Sequence, residues 1–274
     1  MLYIVDFDET ITTYDTIHLL AEAVNKPEEW SVISDKYWQE YLAWREALPH
    51  STTLTSYLPL LGGSRYLEEA SIKRIEKSQY FSGLSEGALD NIVQLITLRA
   101  GFVEFINALV PDLRVSKTIF HVLSVNWSAR VIEQTLLHHT DLTADLLCVH
   151  ANDFDFDTST NTTNGRILAR NASSLLMNST DKVREFRRIV QTDAVSSPLN
   201  VVYIGDSPTD FGCLQISPIS ILMRSNQKYY DILSRFEDVQ LVDISEFPVQ
   251  KAVPGKKIIY TCSDWCAIQK AFLA

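Results

Sequence analysis

The chain opens on an apolar run, Leu2-Tyr3-Ile4-Val5, that stops abruptly at Asp6-Phe7-Asp8-Glu9-Thr10. A short run containing Ile and Val and closed by polar residues predicts a buried parallel strand. From about residue 16 to 98 the spacing becomes helical. Ile17, Leu20, Ala21 and Val24 share one apolar face, and Tyr37, Tyr41, Trp44 and Leu48 share another. Pro49, Pro59 and Gly62-Gly63 punctuate this stretch, and no clear alternation lies inside it. Beyond it the pattern predicts a helix over 103–109, a strand over 118–123 ended by Ser124, a helix over 128–137 and a strand over 146–150. Alternation over 153–166 running into Asn164-Gly165 predicts a hairpin near that pair. A helix over 182–190 follows, then a strand over 200–204, beginning at Asn200 and ending at Gly205-Asp206. The remainder reads as a strand over 220–223, a helix over 229–235, a late edge strand at Ile258-Ile259 and a C-terminal helix over 265–272.

Strands alternating with helices predict an α/β fold, a doubly wound, Rossmann-like parallel sheet with helices on both faces. Ligands in such sheets sit beyond the carboxyl ends of the strands, at the topological switch point. Three of the predicted strands end in polar residues: Asp6 and Asp8, Ser124, and Asp206.

Charge and cysteine usage narrow the class. The 274 residues carry a net charge of -10, and Lys and Arg occur singly or in pairs, which argues against a nucleic-acid surface. No apolar run is long enough to span a membrane, and residues 1–5 lack the basic start and length of a signal peptide. Cys148, Cys213, Cys262 and Cys266 form no CxxC pair and read as reduced thiols. The Asn-x-Ser/Thr sequons at Asn126, Asn161, Asn171 and Asn178 then read as chance, and the expected compartment is the cytosol.

Two carboxylates two residues apart just past a strand repel each other unless a cation or a shared proton compensates. A hard divalent ion answers that problem, and magnesium takes a few carboxylates together with waters and substrate phosphate. Asp206 brings a further carboxylate from another strand end, Ser124 a hydroxyl, Val125 and Asn126 backbone amides, and Lys182 a point charge for phosphate. These are the parts of phosphoryl transfer: a nucleophile, a metal, donors around the equatorial oxygens and an acid for the leaving group.

In these motifs the chain resembles the haloacid dehalogenase superfamily. The strand followed by DxDxT is matched by residues 2–10, the strand ending in Ser or Thr by Phe120-His121-Val122-Leu123-Ser124, and the strand before GDxxxD by residues 201–210, ending in Asp210. The isolated Lys of the third motif is placed at Lys182. Asp15-Thr16 and Arg99-Ala100-Gly101-Phe102 point to the phosphoserine-phosphatase-like branch, which often has Arg-Pro-Gly-Phe, so Ala100 departs from its pattern. The resemblance implies a core of 1–15 and 99–274 and a helical cap of 16–98. It implies Asp6 as nucleophile and Asp8 as acid and then base. Magnesium is implied on Asp6, the Asp8 backbone carbonyl and Asp206, and phosphate oxygens on Ser124, Val125, Asn126 and Lys182. Thr10 supports the first motif, and Asp210 orients Lys182 or a metal-bound water.

The expectation is a magnesium-dependent phosphatase acting on a small phosphorylated metabolite. The alternatives are a phosphotransferase or mutase of the same fold and a non-catalytic regulator. Asp153-Phe154-Asp155-Phe156-Asp157 imitates a calcium loop, but Thr158 and Asn164 stand where Gly and Glu are required, so these acids are expected on an exposed hairpin face. His18, His50, His121, His138, His139 and His150 show no metal-ligand spacing and read as structural. Trp30, Tyr37, Trp38, Tyr41 and Trp44 are expected in the cap's own core, with one or two facing substrate. Asp15, Glu22 or Glu46 are candidates to meet a cationic group there.

Overall fold

The computed structural model describes residues 1–193, 201–249 and 252–273; Asn200, expected to begin a strand, lies outside them. Among the described residues one sheet runs in the order β4-β3-β2-β1-β5-β6-β8-β7. Its strands are β1 (Leu2–Val5), β2 (Ile119–Leu123), β3 (Cys148–Asp157), β4 (Thr162–Arg170), β5 (Val201–Gly205), β6 (Ile219–Met223), β7 (Val239–Asp243) and β8 (Lys257–Cys262). All neighbours are parallel except the β3–β4 hairpin. The doubly wound reading holds.

Every residue of β1 is buried, because helices cover both faces. Tyr3 and Val5 pack with α6 (Phe102–Arg114), α7 (Ala129–His139) and α11 (Trp265–Leu273). Leu2 and Ile4 pack on the other face with α8 (Ser179–Thr192), α9 (Phe211–Ile216) and α10 (Gln227–Ser234). Alternate side chains point to opposite faces, so a strand covered on both must be apolar throughout.

Between β1 and α6 lie α1 (Ile17–Val24), α2 (Pro27–Glu46), α3 (Leu54–Gly62), α4 (Arg65–Ser78) and α5 (Glu86–Val93). Four of them share a separate apolar cluster. Leu20, Ile72, Ile75, Tyr80, Phe81 and Leu89 meet Phe154 and Ile167 of the hairpin there. The fifth, α3, lies on the sheet side, where Leu54 and Leu61 join Phe186 and Phe211. Asp238 caps it, accepting from the amides of Leu54 at 2.6 Å and Thr55 at 3.0 Å.

Three expectations are corrected. The hairpin turns at 158–161, where Asn161 takes φ 57°, and not at Asn164-Gly165. Gly165, at φ +83°, instead sits inside β4 opposite the register shift between Phe154 and Phe156, so its left-handed freedom serves a bulge. Ile258 and Ile259 belong to a strand between β6 and β7, and the edge is β7, a short strand the pattern did not reveal. Asp153 is buried. It accepts from Arg170 Nη1 at 2.6 Å, Ser128 Oγ at 3.3 Å and the amide of Phe154 at 3.1 Å. Strand β3 carries it into the interior before the hairpin emerges.

Candidate active site

The carboxyl ends of β1, β2 and β5 lie side by side, because β1 pairs with β2 on one flank and β5 on the other. Asp6, Ser124 and Asp206 are therefore brought to one edge of the sheet, where the chain order reverses. The loop after β1 is held from several directions. The amides of Ile11 and Thr12 donate to Phe7 O, Arg99 Nη2 donates to Glu9 O at 2.7 Å, and Trp265 Nε1 donates to Thr10 O at 2.9 Å. Thr10 is fully buried beneath it. Gly101 opens α6 at φ +81°. A side chain there would meet the Cys266 amide at 2.5 Å, so the motif glycine lets α6 and α11 close on each other beneath the loop.

Lys182 lies one turn into α8, whose N-cap Asn178 accepts from the Asp181 amide. The Lys182 side chain is fully buried, 2.7 Å from Asp6 Oδ1 as an ion contact, and it donates to Asp210 Oδ1 at 2.7 Å. Asp210 is fully buried and saturated. It also accepts from Tyr203 Oη at 2.6 Å, from the amides of Asp206 at 3.2 Å and Ser207 at 3.1 Å, and from Ser207 Oγ at 3.1 Å. Of the two roles expected for Asp210, orienting Lys182 is the one the geometry displays. Gly205 is required beside it, since a Cβ there would stand 2.4 Å from Asp210 Cγ.

Oxygens of Asp6, Asp206 and Asp210 come within 4.8 Å of one another, all from buried residues. Three ionised carboxylates against the single ammonium of Lys182 would leave a deficit of two positive charges, which protons or a cation must supply. Burial and the nearby Asp210 push Asp6 up to about 8, outweighing Lys182. Burial, Asp210 and Asp6 raise Asp206 well above the ordinary carboxylate range, although Ser225 Oγ donates to it at 2.6 Å. Because Asp210 is spent on its donors, Asp6 and Asp206 are the free pair. A hard oxygen set with this deficit fits a divalent cation such as magnesium.

Asp8 stands apart from that group. Its Oδ1 accepts from the amide of Thr16 at 2.8 Å and from Thr16 Oγ1 at 2.6 Å, and its Oδ2 accepts from Asn126 Nδ2 at 2.8 Å. Burial, with Asp15 nearby, pushes it up to about 6 against those bonds. Thr16 was read as a family marker, and its hydrogen bonds to Asp8 were missed. Asn126 was named for its amide, yet that amide donates to Ser124 Oγ at 3.1 Å, while its side chain bridges Asp8 and Thr16. The Ser124 amide donates to His150 O at 3.0 Å.

Next to these loops lies a cavity of about 520 Å³, bordered by Val125 and Thr209 at one side. Trp30, Tyr37, Trp38, Trp127, Ile72 and Met177 give it an apolar and aromatic wall. Its ionisable groups include Asp15, His18 and Glu68, and among the described residues no Lys or Arg lines it. Tyr37 Oη donates to Glu68 at 2.8 Å, and burial nevertheless raises Glu68 to about 7. Of the aromatic residues expected inside the cap, Trp30, Tyr37 and Trp38 all face this space, and Trp30 also packs on Tyr80 and Phe81. Glu22 and Glu46 do not line it.

With the geometry established, similarity to solved structures defines the class of fold. Phosphoserine phosphatase in its apo form superposes with a TM-score of 0.57 over 98% of this chain and 97% of its own, at 14% identity. A HAD family hydrolase from Salmonella enterica serovar Typhi gives a TM-score of 0.54 at 12% identity, over 84% of this chain and 64% of its own. The chain has the phosphoserine-phosphatase-like fold of the haloacid dehalogenase superfamily.

In sequence it is 28% identical over 250 residues to Cold tolerance protein 1 of Saccharomyces cerevisiae, covering 76% of this chain and 74% of that protein. It is 23% identical over 307 residues to the Bifunctional TH2 protein, mitochondrial, of Arabidopsis thaliana. That match covers 96% of this chain and 48% of the relative, so this chain spans about half of it. No protein-family profile matches the chain. Among the described residues, no helix is long and apolar enough to cross a membrane.

Proposed function

We propose that this protein is a magnesium-dependent phosphatase that hydrolyses a small-molecule phosphomonoester through an aspartyl-phosphate on Asp6. The observation that carries the reading is the charge deficit around Lys182. A buried cluster serving only the fold would pair its carboxylates with cations of the protein, because uncompensated charge in the interior is costly. Here Asp6 and Asp206 await positive charge at the strand ends, beside a cavity.

In this reading an Asp6 oxygen attacks phosphorus while the ester P–O bond breaks on the opposite side. Asp8 gives its proton to the departing alcohol oxygen. It then takes a proton from the water that attacks the acyl-phosphate, which frees inorganic phosphate and restores Asp6. A value near 6 lets one carboxyl act first as acid and then as base close to neutrality. Thr16 and Asn126 fix its orientation. Lys182, the Ser124 hydroxyl and the Val125 amide supply donors for the equatorial oxygens, the amides of Ser124 and Asn126 being bonded within the protein. Magnesium, held by Asp6, Asp206 and the Asp8 backbone carbonyl, would neutralise charge between nucleophile and phosphate.

The cavity supports a view of the alcohol. Its aromatic wall, and its acids Asp15 and Glu68 against the single basic side chain His18, favour a ring-bearing, uncharged or cationic leaving group over one carrying a second anion. A panel of phosphorylated metabolites, assayed for inorganic phosphate with magnesium and again with chelator, tests the reading. Metal-dependent release is expected, fastest on esters of ring-bearing alcohols. No turnover of any ester with magnesium present would overturn it.

A further inference from the structure

A second polar cluster lies within the sheet, away from the carboxylates. His121 of β2 pairs in register with Cys148 of β3, and His150 lies two residues further along β3. Residues two apart on a strand share a face, so all three side chains point to the same side. Their donor atoms come within 4.8 Å of one another. His121 Nδ1 is 2.9 Å from His150 Nε2, and Cys148 Sγ is 3.3 Å from the same nitrogen.

One outward ring nitrogen, His150 Nδ1, is hydrogen-bonded to acceptors, and the other, His121 Nε2, makes only an ion contact. His150 Nδ1 faces Asn171 O at 2.8 Å and Glu185 Oε1 at 3.1 Å, and His121 Nε2 is 2.7 Å from Asp193 Oδ2. Arg188 also approaches His150 Nδ1, at 3.2 Å, but its protons go to Glu185 Oε1 and Asn171 O. The two nitrogens that point inward face each other and one sulfur. A cation seated between them needs both inward nitrogens as lone-pair donors and the sulfur as thiolate, so its binding releases the protons these atoms share. Carboxylate or carbonyl on the far nitrogen of an imidazole is the arrangement that fixes a metal-ligating tautomer.

We propose that Cys148, His121 and His150 form a binding site for a zinc-class divalent cation, separate from the Asp6–Asp206 site. The ligand set is sulfur and nitrogen, which selects a borderline-soft ion and not magnesium. Tetrahedral ligands around zinc stand roughly 3.3–3.6 Å apart, within a few tenths of an ångström of the two distances to His150 Nε2. Cys148 is only partly buried, which leaves an entry side and a fourth position for water or an exogenous ligand. Because the Ser124 amide donates to His150 O, an ion here would stiffen the strand ends that carry the phosphate-binding loop.

Cobalt(II) titration of the full chain is the direct test, since only thiolate ligation produces a sulfur-to-cobalt charge-transfer band and the carboxylate site is silent in it. One equivalent should produce the band. Cys148→Ser should abolish it, His121→Gln should weaken binding at least about tenfold, and Asp206→Asn should leave it intact. X-ray absorption of the zinc-loaded wild-type chain should show one sulfur and two nitrogen neighbours, and this readout does not depend on any variant folding. No charge-transfer band, a band that survives Cys148→Ser, or a zinc shell of oxygen and nitrogen alone would overturn the proposal.

Discussion

Replacing Asp210 by Asn tests the buried network with almost no change of shape. Asp210 receives two donors on Oδ1, Lys182 and Tyr203, and three on Oδ2, the amides of Asp206 and Ser207 and Ser207 Oγ. An amide must turn its NH₂ group toward one of these sets. Turned toward Oδ1, it confronts the Lys182 ammonium. Tyr203 can rotate its hydroxyl to accept, and Lys182 keeps Asp6, so the least cost is one charge-assisted bond, about 1.5–3 kcal/mol. Turned toward Oδ2, it strands at least one buried backbone donor as well, at about 1–3 kcal/mol each. The expected loss is about 2–5 kcal/mol of unfolding free energy, read as a lower denaturant midpoint at unchanged m-value. Phosphatase turnover should fall roughly 10²-fold, as Lys182 drifts from its position. The charge change has a further sign: Asp210 raises both Asp6 and Asp206, so the variant should lower both. A variant within about 0.5 kcal/mol of wild type would refute the saturated-acceptor reasoning.

Other outcomes follow from the same geometry. Asp8→Asn should lower kcat by about 10²–10⁴-fold on the preferred ester and, because its NH₂ would face a donor at Asn126 Nδ2 or at Thr16, cost about 1–3 kcal/mol of stability. Gly205→Ala should cost about 1–3 kcal/mol and reduce turnover together, because its Cβ would lie 2.4 Å from Asp210 Cγ; thermal unfolding and kinetics on one preparation check this. In chelator, stability should decline with pH. Folded-state values of Asp6 and Asp206 stand above the ordinary 3.8, so the folded protein holds protons the unfolded chain has released, and that advantage disappears as pH climbs towards about 8. Melting temperatures across this range should fall in chelator, recover with magnesium, and fall less steeply in Asp206→Asn.

Much of the site was legible because its motifs are local. Asp6, Ser124 and Asp206 each end an apolar strand, and a parallel sheet places strand ends together whatever the distance in sequence. Lys182 needed only its place early in a helix. What stayed hidden depends on side chains meeting across the fold. Thr16 and Asn126 are 110 positions apart, and nothing in the spacing shows both reaching Asp8. The same holds for His121, Cys148 and His150, whose convergence is a matter of strand register between β2 and β3. Asn164-Gly165 misled because a pair able to adopt positive φ suits a bulge as well as a turn. β7 was missed because five residues of mixed burial carry too little periodicity. Helix α3 reads like its neighbours, yet Asp238 and Phe236, far along the chain, draw it onto the sheet side.

The most direct measurement is an acid quench of the enzyme turning over its best ester with magnesium, followed by intact-mass and peptide analysis. One phosphoryl group on Asp6, labile to base and lost in Asp6→Asn together with turnover, is the predicted result. Full turnover by Asp6→Asn, or phosphate trapped on another side chain, would contradict the account.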